Sequence, residues 1–141
     1  PAGYYNALAG QLAAAYLQQA ENTGFDSSHQ KALEVYQKML SMGNTSLEVR
    51  LNIAMLQYQT KKFGDALTTL QALEGDYPSD YRVYEWLAFV DGELAAQKGG
   101  SYQQTLAYYN KAMELYQAAQ AQGVYDPQMD QLKRMAANYW Q

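Results

Sequence analysis

No cysteine occurs in the 141 residues, histidine occurs once and proline three times. Without cysteine there is no disulfide framework and no thiolate to act as nucleophile or metal ligand. The single histidine, His29, ends the polar stretch FDSSH with no set of metal-ligating side chains around it, so it reads as a surface residue rather than a ligand or a base. Ten lysines and arginines stand against fourteen acids, a net charge of -4, which argues against nucleic acid or an anionic membrane as the main partner. No apolar run nears the roughly 18 residues that a membrane span needs, so no direct membrane insertion is expected. The opening PAGYYNALAG has neither the basic region nor the long apolar run of a signal peptide, and with no initial methionine the chain reads as a segment of a longer protein.

Catalytic patterns are missing as well. A Ser-His-Asp arrangement would have to use His29, and no G-x-S-x-G turn is present. Gly99-Gly100-Ser101 lacks the lysine of a phosphate loop and reads as a turn followed by a capping serine. Glu74, Asp76 and Asp80 surround Pro78 without calcium-loop spacing. Glu85 and Asp91 are not neighbours on a helix and make no acid–base pair. The expectation is a protein that is not an enzyme and that takes no cofactor and no metal.

What the chain does hold is apolar periodicity. Apolar residues make up 48% and charged ones 17%, which is enough to build a core. Fourteen tyrosines suit helix–helix packing, with the ring buried and the hydroxyl at the edge. Leu47 to Asp80 is the most informative stretch. Leu47, Leu51, Ala54 and Tyr58, with Ile53 close by, lie at helical spacing, as do Phe63, Ala66, Leu67, Leu70 and Leu73. The short polar break Thr60-Lys61-Lys62 folds the two helices back on each other. Thr45 is expected to cap the first of them, with Glu48 completing a capping box.

The pattern recurs. Upstream, a helix over residues 4–22 carries Tyr5, Leu8, Leu12, Ala15, Tyr16 and Gln19 on one stripe and ends at Asn22-Thr23-Gly24. A second, from about Ser28 to Ser41, turns Ala32, Leu33, Tyr36, Met39 and Leu40 inward and closes at Met42-Gly43-Asn44. Downstream of Pro78, Ser79 or Asp80 caps a helix bearing Tyr81, Tyr84, Leu87, Ala88 and Leu94. The next helix carries Tyr102, Thr105, Leu106, Tyr109 and Ala112 and ends near Gln122-Gly123. Ala66 follows Ala32 by thirty-four residues, and Leu87-Ala88 follows Ile53-Ala54 by the same interval. Asp126-Pro127 opens a last helix, with Met129, Leu132, Met135, Ala136 and Tyr139 on its apolar side and Trp140 completing its packing.

This arrangement resembles the tetratricopeptide repeat, a thirty-four-residue helical hairpin. Ile53, Ala54, Ala66, Leu70 and Pro78 stand at the family's signature places, whereas Arg50, Gln57 and Leu73 depart from its tryptophan, tyrosine and small residue. The resemblance implies an all-α, right-handed solenoid of seven helices in one domain over 1–141. Its three hairpins would cover about 4–44, 45–78 and 79–123, with a capping helix over about 126–140. It also implies a protein or peptide partner, held in a concave groove lined by the first helix of each hairpin. Groove positions would be Leu51, Asn52, Met55, Tyr58 and Gln59 in the second hairpin, and Arg82, Glu85, Trp86 and Phe89 in the third. In the first hairpin they would be Ala7, Gly10, Ala14, Leu17 and Gln18. Trp86 and Phe89 have two readings, as anchors for a partner or as packing between helices. Gly10 and Ala14 stand where chaperone adaptors of this family carry carboxylate-clamping side chains, which argues against a chaperone tail as ligand.

The last half of the chain, from DYPSDYRVYEWLAFVDGELAAQ through YYNKAMELY to DPQMDQL, also resembles the tetratricopeptide modules appended to bacterial serine/threonine protein kinases. No kinase element is present in the sequence itself. The alternative to an adaptor is a structural spacer or homo-oligomerisation module; as a free chain it would be a monomer or a weak dimer. Ala54 marks the close helix crossing in either case. Ala54→Leu is therefore expected to overpack it and cost about 1–3 kcal/mol in chemical denaturation.

Overall fold

The computed structural model of the chain describes residues 2–23 and 26–139. The Gly24 cap, the inward place of the Tyr5 side chain and the packing of Trp140 expected above lie outside the described residues. Among the described residues seven helices run in order: α1 Ala2–Thr23, α2 Asp26–Ser41, α3 Leu47–Gln59, α4 Phe63–Asp76, α5 Tyr81–Gln97, α6 Gln103–Ala121 and α7 Pro127–Tyr139. No strand occurs among the described residues, so the fold is all-α with the expected order of helices. The chain divides into two compact units, residues 1–69 and 70–141, with the boundary inside α4.

In the first unit α1 packs on α2 and α2 on α3. The core joins Ala9 and Ala13 of α1, Ala32, Leu33, Tyr36 and Met39 of α2, and Val49, Ile53 and Leu56 of α3. The buried stripe of α1 is Ala9, Ala13 and Ala20 rather than the expected Leu8 and Leu12, which are 48% and 47% exposed. The small residues face α2 because they let the two backbones approach, and this rotation by one residue puts the leucines outside. Leu40 of α2, expected inward, is also exposed, while Ala32, Leu33, Tyr36 and Met39 are buried as expected. Gly43, at φ 95°, closes α2 as Asn44 N–H donates back to the Met39 carbonyl at 3.0 Å.

Ser46, not Thr45, caps α3: its hydroxyl accepts from Val49 N–H at 3.3 Å. Glu48 therefore stands one place short of the capping-box position. Lys61 leaves α3 in the left-handed region at φ 65°, and Lys62 N–H donates to the Gln57 carbonyl at 2.7 Å. Gln57 is itself buried, and its side-chain oxygen accepts from the Thr69 hydroxyl at 2.8 Å, tying α3 to the middle of α4. The rings of Tyr58 and Phe63 meet across the same turn, with centroids 5.5 Å apart.

The second unit is built around α5. Every residue from Val83 to Val90 is buried, and so is Gly92. A helix buried on all sides shows no amphipathic stripe. Asp80 caps it, its carboxylate accepting from Arg82 N–H at 3.0 Å. Helix α6 lays Thr105, Tyr109, Ala112 and Tyr116 into the core at helical spacing. Ser101 is not its cap; Tyr102 holds that position without a side-chain capping bond. Thr105 takes the place that alanine has in the preceding hairpins, and its buried hydroxyl donates to Asp91 at 2.6 Å.

Helix α7 packs on both α5 and α6. Asp126 caps it through Gln128 N–H at 2.9 Å, and Met129, Leu132 and Ala136 are its buried side. Tyr139 stacks on Tyr102, with ring centroids 4.4 Å apart and planes at 21°. Its hydroxyl lies where a Cβ on Gly92 would come within 2.5 Å, so the absence of a side chain at Gly92 makes room for the end of α7.

The bond between Thr105 and Asp91 can be deleted at nearly constant volume. Thr105→Val is expected to cost about 1–3 kcal/mol in urea unfolding, because Asp91 loses a charge-assisted partner.

Candidate partner-binding surfaces

The nine groove residues expected in the second and third hairpins divide sharply by exposure. On α3, Asn52, Met55, Tyr58 and Gln59 are partly exposed, whereas Leu51 is buried. Asn52, Met55 and Gln59 stand at i, i+3 and i+7, along one side of the helix. Met55 packs against the core of the first unit, as does Leu17 of α1, so both have an anchored stem and an open edge. Gln59 has a buried side-chain oxygen with no hydrogen-bond partner among the described residues. An acceptor left in that state costs free energy that a donor from a partner would restore. Of the other first-unit positions, Ala7, Ala14 and Gln18 are exposed and Gly10 and Leu17 are half-buried.

On α5 the expected residues are mostly interior. Glu85 is 1% exposed, Phe89 4% and Trp86 9%. The indole and phenyl rings pack on each other with centroids 5.4 Å apart. Of the two readings of Trp86 and Phe89, the structure therefore supports interior packing, and Phe89→Ala becomes a core truncation. Arg82 remains at the surface, but its guanidinium is forked onto Asp80, with Nε to Oδ1 at 3.1 Å and Nη2 to Oδ2 at 3.0 Å. Arg82, Asp80, Ser79, Tyr81 and Val124 line an open depression of about 400 Å³.

Behind that depression lies a buried polar cluster. Burial first, and then the neighbouring Asp126 carboxylate to which the protonated form donates, push the Glu85 carboxyl up to about 9 from an ordinary 4.5; Arg82 opposes the shift. Glu85 Oε2 has no hydrogen-bond partner among the described residues. Asp126 also accepts from the Tyr81 hydroxyl at 3.1 Å, and its backbone N–H donates to the Tyr116 hydroxyl at 2.8 Å. Burial, followed by the same Asp126 carboxylate, raises Tyr81 as well. The rings of Tyr81 and Tyr116 are 5.0 Å apart. The start of α7 is thus held by side chains from α5 and α6.

The sequence holds one sign of this cluster, an acid isolated in VYEWLAFV, but Asp126 is forty-one residues away and meets Glu85 only when α7 docks. His29, expected at the surface, is half-buried, with Nδ1 buried and without a partner among the described residues. No group of three or more His, Cys, Asp or Glu side chains that could hold a metal occurs among them. No helix there is long and apolar enough to cross a membrane.

Glu85 makes stability depend on pH with a definite sign. Its folded form keeps a proton that the unfolded chain releases above 4.5, so stability falls as pH rises from there to about 9. Glu85→Gln keeps a donor for Asp126 and removes this dependence. The variant is expected to gain on the native chain by up to about 1.4 kcal/mol per pH unit across that window, read from denaturation curves at several pH values.

The geometry agrees with what family comparison finds. Residues 26–88, from the start of α2 to the middle of α5, match the family model of the tetratricopeptide repeat. No curated protein matches the chain. The paired helices and the thirty-four-residue recurrence of buried alanines agree with this match, and over residues 26–88 the chain is similar to the tetratricopeptide repeat.

Proposed function

We propose that the chain is a non-catalytic interaction module that holds a peptide or protein segment on the exposed side of α3. Tetratricopeptide repeats mediate protein–protein interaction in general. The observation that carries the reading for this chain is the row Asn52, Met55 and Gln59, which joins an apolar anchor to two amides, one with a buried acceptor lacking a partner. Met55 supplies apolar area. Asn52 and Gln59 can each donate and accept, which suits the main chain of an extended or helical segment. Tyr58, partly exposed beside them, belongs to the same surface. Leu51, Glu85, Trp86 and Phe89 are not contacts in this reading, because they are interior.

The setting we propose is a regulatory appendage of a larger signalling protein, such as a bacterial serine/threonine kinase. The resemblance of the last half of the chain to kinase-appended modules supports that setting.

The test is capture from a proteome lysate by the native chain and by Met55→Ala/Gln59→Ala, with bound proteins identified by mass spectrometry. Peptides from the captured protein are then titrated by fluorescence anisotropy. The double variant is expected to keep its circular dichroism spectrum and to bind the peptide about tenfold or more weakly. Equal capture and equal affinity for both proteins would remove α3 from the binding surface.

A further inference from the structure

We propose that a proton held between the buried carboxyl of Glu85 and the carboxylate of Asp126 latches helix α7 in place, so that losing this proton lets α7 leave as a unit ahead of α5 and α6. The peptide surface on α3 plays no part in this latch. Among the described residues α7 has three buried side chains, Met129, Leu132 and Ala136. Its apolar hold is therefore small, and polar ties at its two ends complete it. At the far end Tyr139 stacks on Tyr102, and its hydroxyl fills the space beside Gly92. At the near end stands Asp126, whose N–H donates to the Tyr116 hydroxyl at 2.8 Å. Its carboxylate accepts from the Tyr81 hydroxyl at 3.1 Å and from Gln128 N–H at 2.9 Å.

Glu85 reaches this near end from α5. It is 1% exposed, its protonated form donates to Asp126, and its Oε2 has no hydrogen-bond partner among the described residues. A second negative charge there would face Asp126 with no donor to take it up, which burial makes costly. The surrounding groups do not relieve that charge. Arg82 of α5 favours the ionised form, but its guanidinium is forked onto Asp80 just before that helix, and Asp80 itself adds negative charge. Burial and then Asp126 hold the Tyr81 hydroxyl above its ordinary range, so it stays a neutral donor to Asp126. Tyr116 of α6 is engaged with the Asp126 N–H.

With α7 docked, Glu85 keeps its proton up to about 9; with α7 away, its carboxyl returns towards the ordinary 4.5. The released form is therefore the one that has given up the proton, and each pH unit gained between these values favours release about tenfold. Below 4.5 both forms hold the proton and above about 9 neither does, so the effect levels off at both ends. The tie between α5 and α6 is of another kind. There the Thr105 hydroxyl donates to Asp91 at 2.6 Å, a neutral donor on one carboxylate, and no proton is shared between two acids. That pairing can outlast the departure of α7, which uncovers the sides of α5 and α6 that it packs on.

Backbone hydrogen exchange of the 141-residue chain, followed by NMR at several pH values inside that window and expressed as protection factors, tests the latch. The amides of Leu132 to Ala136 are expected to be less protected than those of Val83 to Val90 at every pH. They are also expected to lose about tenfold in protection per pH unit. Glu85→Gln keeps a donor for Asp126 and has no proton to release, so protection of its α7 amides is expected not to change with pH. Equal protection of α7 and α5 would mean that α7 opens only with the whole unit, and it overturns the proposal. So does an α7 whose protection ignores pH in the native chain, or a slope that Glu85→Gln leaves undiminished. Should Glu85→Gln not fold, Glu85→Met, which removes the proton together with the charge, is measured in its place and read in the same way.

Discussion

The structure depends on how closely helices can approach, and alanine sets that distance. Ala13, Ala32, Ala54, Ala66, Ala88, Ala112 and Ala136 are all fully buried, at least one on each of the seven helices. A methyl group fills little space, so at these positions one helix backbone can lie against its neighbour, and the larger residues on either side of the crossing then interdigitate. The orientation of α1 follows from the same constraint. Its alanine stripe turns inward and its leucines turn out, against what hydrophobicity by itself would choose. Gly92 is the limiting case, where not even a methyl fits beside the hydroxyl of Tyr139 without displacing it.

The tyrosines extend this packing into hydrogen bonding. Tyr81 and Tyr116 each bury much of a ring and present a hydroxyl to Asp126. Tyr125, largely exposed, reaches Asp130 at 3.2 Å. A ring with a polar tip can fill the space between helices and satisfy a terminus in one side chain. Thr105 does this on a smaller scale, placing a hydroxyl where the other hairpins have a methyl and holding Asp91 with it. Arg82, a natural candidate for gripping a partner, is forked onto Asp80 at the start of its own helix. Much of the second unit's polar chemistry is thus spent on its own helix ends, which is why the contact surface we propose lies on α3 and not on α5.

The number and order of the helices were legible in the sequence because thirty-four-residue recurrence and turn residues mark them independently. On α2 most of the buried side was legible, since Ala32, Leu33, Tyr36 and Met39 lie where periodicity places them, whereas on α1 it was not, because alanines and not leucines face α2. Helices buried on several sides were not. Val49, Ile53 and Leu56 of α3 face α2, while Leu51 and Gln57 are buried as well, so no single stripe exists to be found. On α5 the entire run from Val83 to Val90 is interior, and counting repeat positions cannot separate a groove residue from a core residue there. Caps followed local rules only where one candidate stood alone, as at Asp126; of the adjacent pair Thr45 and Ser46, backbone geometry selects the second. The Glu85–Asp126 contact joins residues forty-one apart and is a product of docking, invisible to any local pattern beyond the isolated acid.

The hold on Asp126 also has a consequence for the order of assembly. The side chains that receive the start of α7 come from Glu85, Tyr81 and Tyr116, all earlier in the chain, on α5 and α6. Two of the three lie on α5 and one on α6, so the complete hold on Asp126 exists only once those two helices have paired. Helix α7 is therefore a follower. Within the second unit it is the helix that a local fluctuation can release while α5 and α6 stay joined.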